Sequence, residues 1–138
     1  MKRLEKLSTL RISAAKTLLF RYKNKELKGL SGDTVATALY ANGIRIFGRS
    51  LKYHRPRGLY SLDGESSNTC MQVDGIPNVC AENTLLADGM QVKAQNVVGS
   101  PETDMKGFMD KMDWAMPAGF YYRTMHKPAR IWPIALKQ

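Results

Sequence analysis

The sequence predicts an α+β domain in which two β-hairpins flank one short helix, and three stretches predict it. Residues 17–22 (TLLFRY) are β-prone, and KNKE at 23–26 supplies turn residues before a second short strand at 27–30. Residues 33–43 read as a helix. Asp33 can accept from a free N–H of the first turn, Val35, Ala38 and Leu39 give one apolar face, and Asn42-Gly43 is a stop. TCMQV at 69–73 and NVCAE at 78–82 alternate with period two around Asp74, Gly75, Ile76 and Pro77, the turn cluster of the second hairpin.

Between and beyond these stretches the chain divides into three parts. Residues 1–16 form a basic N-terminal arm with only weak periodicity, at Leu4, Leu7 and Leu10. From residue 2 to residue 28 nine Lys or Arg face only Glu5 and Glu26. The domain proper is expected over 17–98. In it, 44–47 (IRIF) alternates as a strand, and Gly48 then opens a loop that carries Arg49, Lys52, Tyr53, His54, Arg55 and Arg57. Pro56 restrains that loop by fixing its own φ and biasing Arg55 towards extended geometry. Asp88-Gly89 makes a further turn, and 90–95 (MQVKAQ) reads as the closing strand. Residues 99–138 are an extension: a linker-like start, then an apolar stripe of Met105, Phe108, Met109, Met112 and Met116 suited to core packing or to an interface. It ends in a tail with Phe120, Tyr121, Tyr122 and Trp132, which bury only by lying across another surface.

The formal net charge of +9 over 138 residues invites an anionic partner without choosing among acidic protein, nucleotide, membrane face or nucleic acid. No apolar run approaches the roughly 18–20 residues of a membrane helix, and no secretory signal opens the chain, so a cytoplasmic location is expected. The two cysteines are then expected as thiols. His54 and His126 lack metal-ligand spacing, and no P-loop, GxGxxG or nucleophile elbow is present.

Hairpin, helix and strand in this order open a β-grasp fold. The stretches GDTVATALYANGIRIFGRSLKYHRPRG at 32–58, VDGIPNV at 73–79 and PAGFYYRT at 117–124 resemble a known family. It comprises the plant-type [2Fe-2S]-ferredoxin-like small subunits, and equivalent N-terminal domains, of heteromeric flavin-dependent oxidoreductases of the sarcosine oxidase alpha-chain type, with proline dehydrogenases, opine oxidases and hydrogen cyanide synthases. Cluster-bearing members carry thiolates in a C-x4-C-x2-C pattern with a fourth further on. Anchored on HRPRG and VDGIPNV, the resemblance puts those positions at Ser61, Ser66, Thr69 and Glu82, none of them cysteine. Cys70 and Cys80 lie near ligand positions instead of on them, and are expected to face away.

The resemblance therefore implies a noncatalytic structural subunit, a ferredoxin-like scaffold that has lost its cluster and binds no cofactor alone. FAD, FMN and NAD are expected on flavoprotein partner subunits, with the nucleotide-binding part of the alpha chain on another polypeptide. Arg49, Lys52, Tyr53, His54, Arg55 and Arg57 would dock near a partner's cofactor, and Phe120, Tyr121, Tyr122 and Trp132 would form a partner interface. The alternatives are a [2Fe-2S] electron-transfer subunit of such a complex, including a cluster shared between two chains, and a basic nucleic-acid-binding module, which the lack of a specific signal disfavours.

Overall fold

The computed structural model describes residues 16–115. In chain order the elements are β1 (Thr17–Tyr22), β2 (Lys25–Leu30), α1 (Val35–Ala41), β3 (Gly48–Arg49), β4 (Pro56–Arg57), β5 (Cys70–Val73), β6 (Ile76–Cys80) and β7 (Gln91–Lys93). Five strands make one sheet in the order β2-β1-β7-β5-β6, and β3 and β4 make a separate two-stranded ribbon. β1 runs antiparallel to β2 and parallel to β7, as Arg21 pairs with Gln91 and Tyr22 with Val92. An N-terminal hairpin whose first strand lies parallel to the last is the arrangement of a β-grasp domain.

Alternation along β1 decides the core. Leu18, Phe20 and Tyr22 point inward and meet Val35, Ala36, Ala38 and Leu39 of α1, with Phe47, Met71, Val73, Ala81, Leu86, Met90 and Val92 closing the cluster. Truncating Phe20 to Ala would cost about 3–5 kcal/mol by the usual price of an aromatic cavity.

Several boundaries differ from those the sequence suggests. Thr34, not Asp33, caps α1: its hydroxyl accepts from the Thr37 N–H while the Thr37 side chain accepts from the Thr34 N–H. The Asp33 carboxylate instead accepts from the Leu30 N–H at 2.8 Å, closing the turn before the helix. The first hairpin turns at Lys23, whose positive φ of 56° lets β2 begin at Lys25. Likewise Asp74 and Gly75 alone turn the second, both with positive φ, and Ile76 and Pro77 belong to β6. The expected strand at 44–47 is absent. The ribbon begins at Gly48, which lies so close to the next segment that a Cβ there would stand 2.8 Å from the Gln95 carbonyl oxygen. The closing strand shrinks to Gln91–Lys93.

The amphipathic stretch forms 3-10 turns over Met105–Ala115, broken at Met112. Met105, Phe108 and Met112 are exposed, which overturns core packing for these three. The basic arm at 1–15, Met116, and the tail residues Phe120, Tyr121, Tyr122 and Trp132 lie outside the described residues. Among the described residues no helix is long and apolar enough to cross a membrane.

The hydroxyl of Tyr22 is buried without a hydrogen-bond partner. Burial, helped by the nearby Glu102 carboxylate, pushes its pKa up to about 12. A pKa raised on folding contributes stability that is complete below the ordinary value and lost as pH climbs through the folded one. The wild type should therefore lose up to about 1.4 kcal/mol per pH unit between roughly pH 10 and 12. Tyr22→Phe should remove that slope and leave stability at pH 7 unchanged or higher by up to about 1 kcal/mol. Urea denaturation across pH checks both, and a loss above about 1 kcal/mol at pH 7 would show the hydroxyl to be hydrogen-bonded.

Candidate functional site

Two neighbouring features carry most of the polar geometry. The first is the loop at residues 58–69 with the segment that follows β6. Ser61 Oγ donates to Asp63 Oδ1 at 2.8 Å. The Glu65 N–H and then that hydroxyl hold the exposed Asp63 carboxyl below its ordinary pKa. Ser66 Oγ accepts from the Asn68 N–H, capping the 3-10 turn Ser67–Thr69, and the buried Thr69 hydroxyl donates to the Ser66 carbonyl at 3.2 Å. Glu82 is only 7% exposed. Its Oε2 accepts from the Gly64 N–H at 3.1 Å, while its Oε1 is buried without a hydrogen-bond partner.

Local folding explains this placement. The Ala36 N–H at the start of α1 donates to the Ala81 carbonyl at 2.9 Å and the Val35 N–H to Thr84, so the helix seats Glu82 from one side. Asn83 Nδ2 donates to the Gly64 carbonyl at 2.7 Å from the other. Gly64 has φ of 77°, and a Cβ there would stand 2.1 Å from Asn83 Oδ1, so only glycine fits this approach.

Cys80 departs from expectation. Its Sγ comes within 3.7 Å of Thr69 Oγ1 and 3.9 Å of the Gly64 carbonyl oxygen. It is thus turned towards the ligand positions. The donor set nonetheless does not fit a [2Fe-2S] cluster. Such a cluster takes four soft ligands, normally thiolates, whereas the chain has two cysteines, and the positions that the resemblance assigns to thiolates, Ser61, Ser66, Thr69 and Glu82, carry hard oxygens. All four side chains already take part in hydrogen bonds inside the loop. Among the described residues no three or more His, Cys, Asp or Glu gather to hold a metal.

The second feature is the basic stretch at 49–57. It is folded into the β3–β4 ribbon, and three of its residues, Arg49, His54 and Arg55, bond to the extension. Arg49 donates from Nε and Nη2 to the Pro101 carbonyl at 2.8 and 2.6 Å, and from Nη1 to the His54 carbonyl at 2.9 Å. His54, in the left-handed region at φ 52°, places Nδ1 2.8 Å from Asp104 Oδ2, with the two side chains 8% and 0% exposed. Arg55 pairs with Asp110 on the surface, and Tyr53 lies between Lys52 and Arg55 at 4.7 and 4.8 Å. Arg57 is exposed.

Sequence reading missed Asp104 and Asp110, the anionic partners of this stretch. Their signal was present: Glu102, Asp104, Asp110 and Asp113 gather in one short segment of a basic chain.

Residues 15–97 match the family model described as a 2Fe-2S iron-sulfur cluster binding domain. Over 119 residues, 83% of the chain, the sequence is 36% identical to sarcosine oxidase subunit alpha of Rhizobium meliloti (strain 1021), and it covers 12% of that protein. It is 39% identical over 64 residues, 46% of the chain and 7% of the relative, to sarcosine oxidase subunit alpha of Corynebacterium sp. (strain P-1). The crystal structure of L-proline dehydrogenase from P. horikoshii superposes with a TM-score of 0.53 at 26% identity, over 61% of this chain and 16% of that one. The chain thus spans a small fraction of the length of each of these relatives.

Burial alone would push the Asp104 carboxyl up, but the His54 hydrogen bond, the Lys106 N–H, the charge of His54 and the Val98 N–H together hold it below the ordinary carboxylate range. A pKa lowered on folding contributes stability that is complete above the unfolded value and lost as pH falls through the folded one. Asp104→Asn should cost about 2 kcal/mol at pH 7, as for a buried hydrogen bond to a charged group, and the gap should narrow below about pH 4. Urea denaturation at the two pH values measures it; a gap independent of pH would place the stabilisation elsewhere.

Proposed function

The chain belongs to the family of 2Fe-2S iron-sulfur cluster binding domains, and from that premise we propose that it is a noncatalytic, cluster-free ferredoxin-like module of a flavin-dependent amine or amino-acid oxidoreductase complex. One observation supports the proposal: Ser61, Ser66, Thr69 and Glu82, the positions that the resemblance matches to the family's thiolates, carry oxygen side chains that each take part in hydrogen bonds of the loop. The relatives' names, sarcosine oxidase subunit alpha and L-proline dehydrogenase, support the type of complex. FAD and FMN, with NAD in some complexes, would then reside on partner flavoproteins. The family's own description favours the competing reading of an electron-transfer subunit, and the donor set opposes it.

Docking is assigned to the outer side of the basic ribbon, with Arg57, Lys52, Tyr53 and Arg55 offered to carboxylates or phosphates of the partner. Arg49 and His54 hold the ribbon to the extension from within. The exposed Met105, Phe108 and Met112 add adaptable apolar surface on the extension. The aromatic tail, outside the described residues, is proposed as the second anchor.

Two measurements test this reading. Purified anaerobically, the protein should be colourless and free of stoichiometric iron and sulfide; a brown product with about two irons per chain would overturn it. Arg57→Ala should lower the yield of flavoprotein co-purified with the tagged chain, by less than about 1 kcal/mol and less still at high salt, while leaving the domain's own stability unchanged. Unchanged recovery at both low and high salt would remove the ribbon from the interface.

A further inference from the structure

We propose that Cys70 and Cys80 form a reversible disulfide across the β5–β6 hairpin, a thiol redox site that takes oxidising equivalents from a low-molecular-weight disulfide. The two residues are Cα partners in the antiparallel ladder, and both are free, half-buried thiols. One step outside the pair, the Ala81 N–H donates to the Thr69 carbonyl at 3.1 Å. In an antiparallel ladder a bond in that position flanks a pair that exchanges no hydrogen bonds, where Cα atoms stand about 4.5 Å apart and side chains approach most closely. Disulfides bridge Cα separations of about 4.4–6.8 Å. The pair therefore lies at the short end of the range that a disulfide spans without backbone movement, and a bond closed there is strained and readily reduced.

In the reduced chain Cys80 Sγ is turned to Thr69 Oγ1 and to the Gly64 carbonyl. Bonding to Cys70 draws it away from both, so oxidation of the hairpin is felt in the loop at 58–69. The chemistry is an ordinary double exchange. One cysteine thiolate attacks the small disulfide, forming a mixed disulfide and releasing one small thiol; the other cysteine attacks the protein sulfur of that bond and releases the second. Two protein thiols lose two protons and two electrons, and one small disulfide becomes two thiols.

The test equilibrates the purified chain anaerobically with glutathione and glutathione disulfide at stepped ratios, traps free thiols by alkylation and maps the products by mass spectrometry. A Cys70–Cys80 linked peptide is expected to grow as the disulfide fraction rises and to disappear when the ratio is returned tenfold towards glutathione. Amide hydrogen exchange over 58–69 should differ between the two forms. Cys70→Ser and Cys80→Ser should each yield only a glutathione adduct on the remaining thiol. Two thiols that stay alkylatable in tenfold excess glutathione disulfide would overturn the proposal. So would separate capping of each cysteine, or a link between chains.

Discussion

The loop at 58–69 is tied to the segment after β6 at Gly64, whose N–H donates to the buried carboxylate of Glu82 and whose carbonyl accepts from Asn83. Placing a carboxylate where only 7% of the residue meets solvent costs several kcal/mol unless its oxygens are paired, and here one of them is not. The compensation comes from what the carboxylate joins. The start of α1 seats Glu82 through Ala81, Asn83 holds the other side of the same glycine, and the glycine is the midpoint of a loop whose one regular element is the 3-10 turn Ser67–Thr69. A cluster would fix such a loop at four metal-ligand bonds. The hydrogen bonds present are worth about 1 kcal/mol each, with Ser61, Ser66 and Thr69 closing local turns and Glu82 and Asn83 supplying the long-range ties.

A second constraint shapes the basic ribbon. The ribbon concentrates positive charge that no local residue neutralises, and the extension folds back to supply the anions and carbonyls it lacks. The His54–Asp104 pair is buried and fixes the geometry, whereas Lys23–Glu102 and Arg55–Asp110 lie at the surface, where ion pairs contribute little. Part of the chain's excess positive charge is thus answered from within, and the remainder faces outward at residues such as Arg57.

What the sequence made legible was local. The hairpins, the helix and the closing strand follow from period, from Asn42-Gly43 and from Asp74-Gly75, signals that lie within a few residues of what they specify. Contacts between distant segments were not legible. Arg49 meets Pro101 and His54 meets Asp104 across some fifty residues of chain, and no periodicity encodes such a pairing. The strand expected at 44–47 failed for the same kind of reason: Gly48 is drawn against Gln95, and the ribbon starts there. Cys80 was misplaced because its approach to Thr69, 3.7 Å from Sγ to Oγ1, joins two different strands' ends across eleven residues of chain.

Glu82 is proposed to hold the loop without a cluster, and amide hydrogen exchange at Gly64 measures that hold. In the iron-free protein that amide should be protected, and Glu82→Ala should release it while the amides of β1, buried between β2 and β7, keep their protection. A Gly64 amide that exchanges freely in the iron-free wild type, and becomes protected only after iron and sulfide are supplied, would contradict the account.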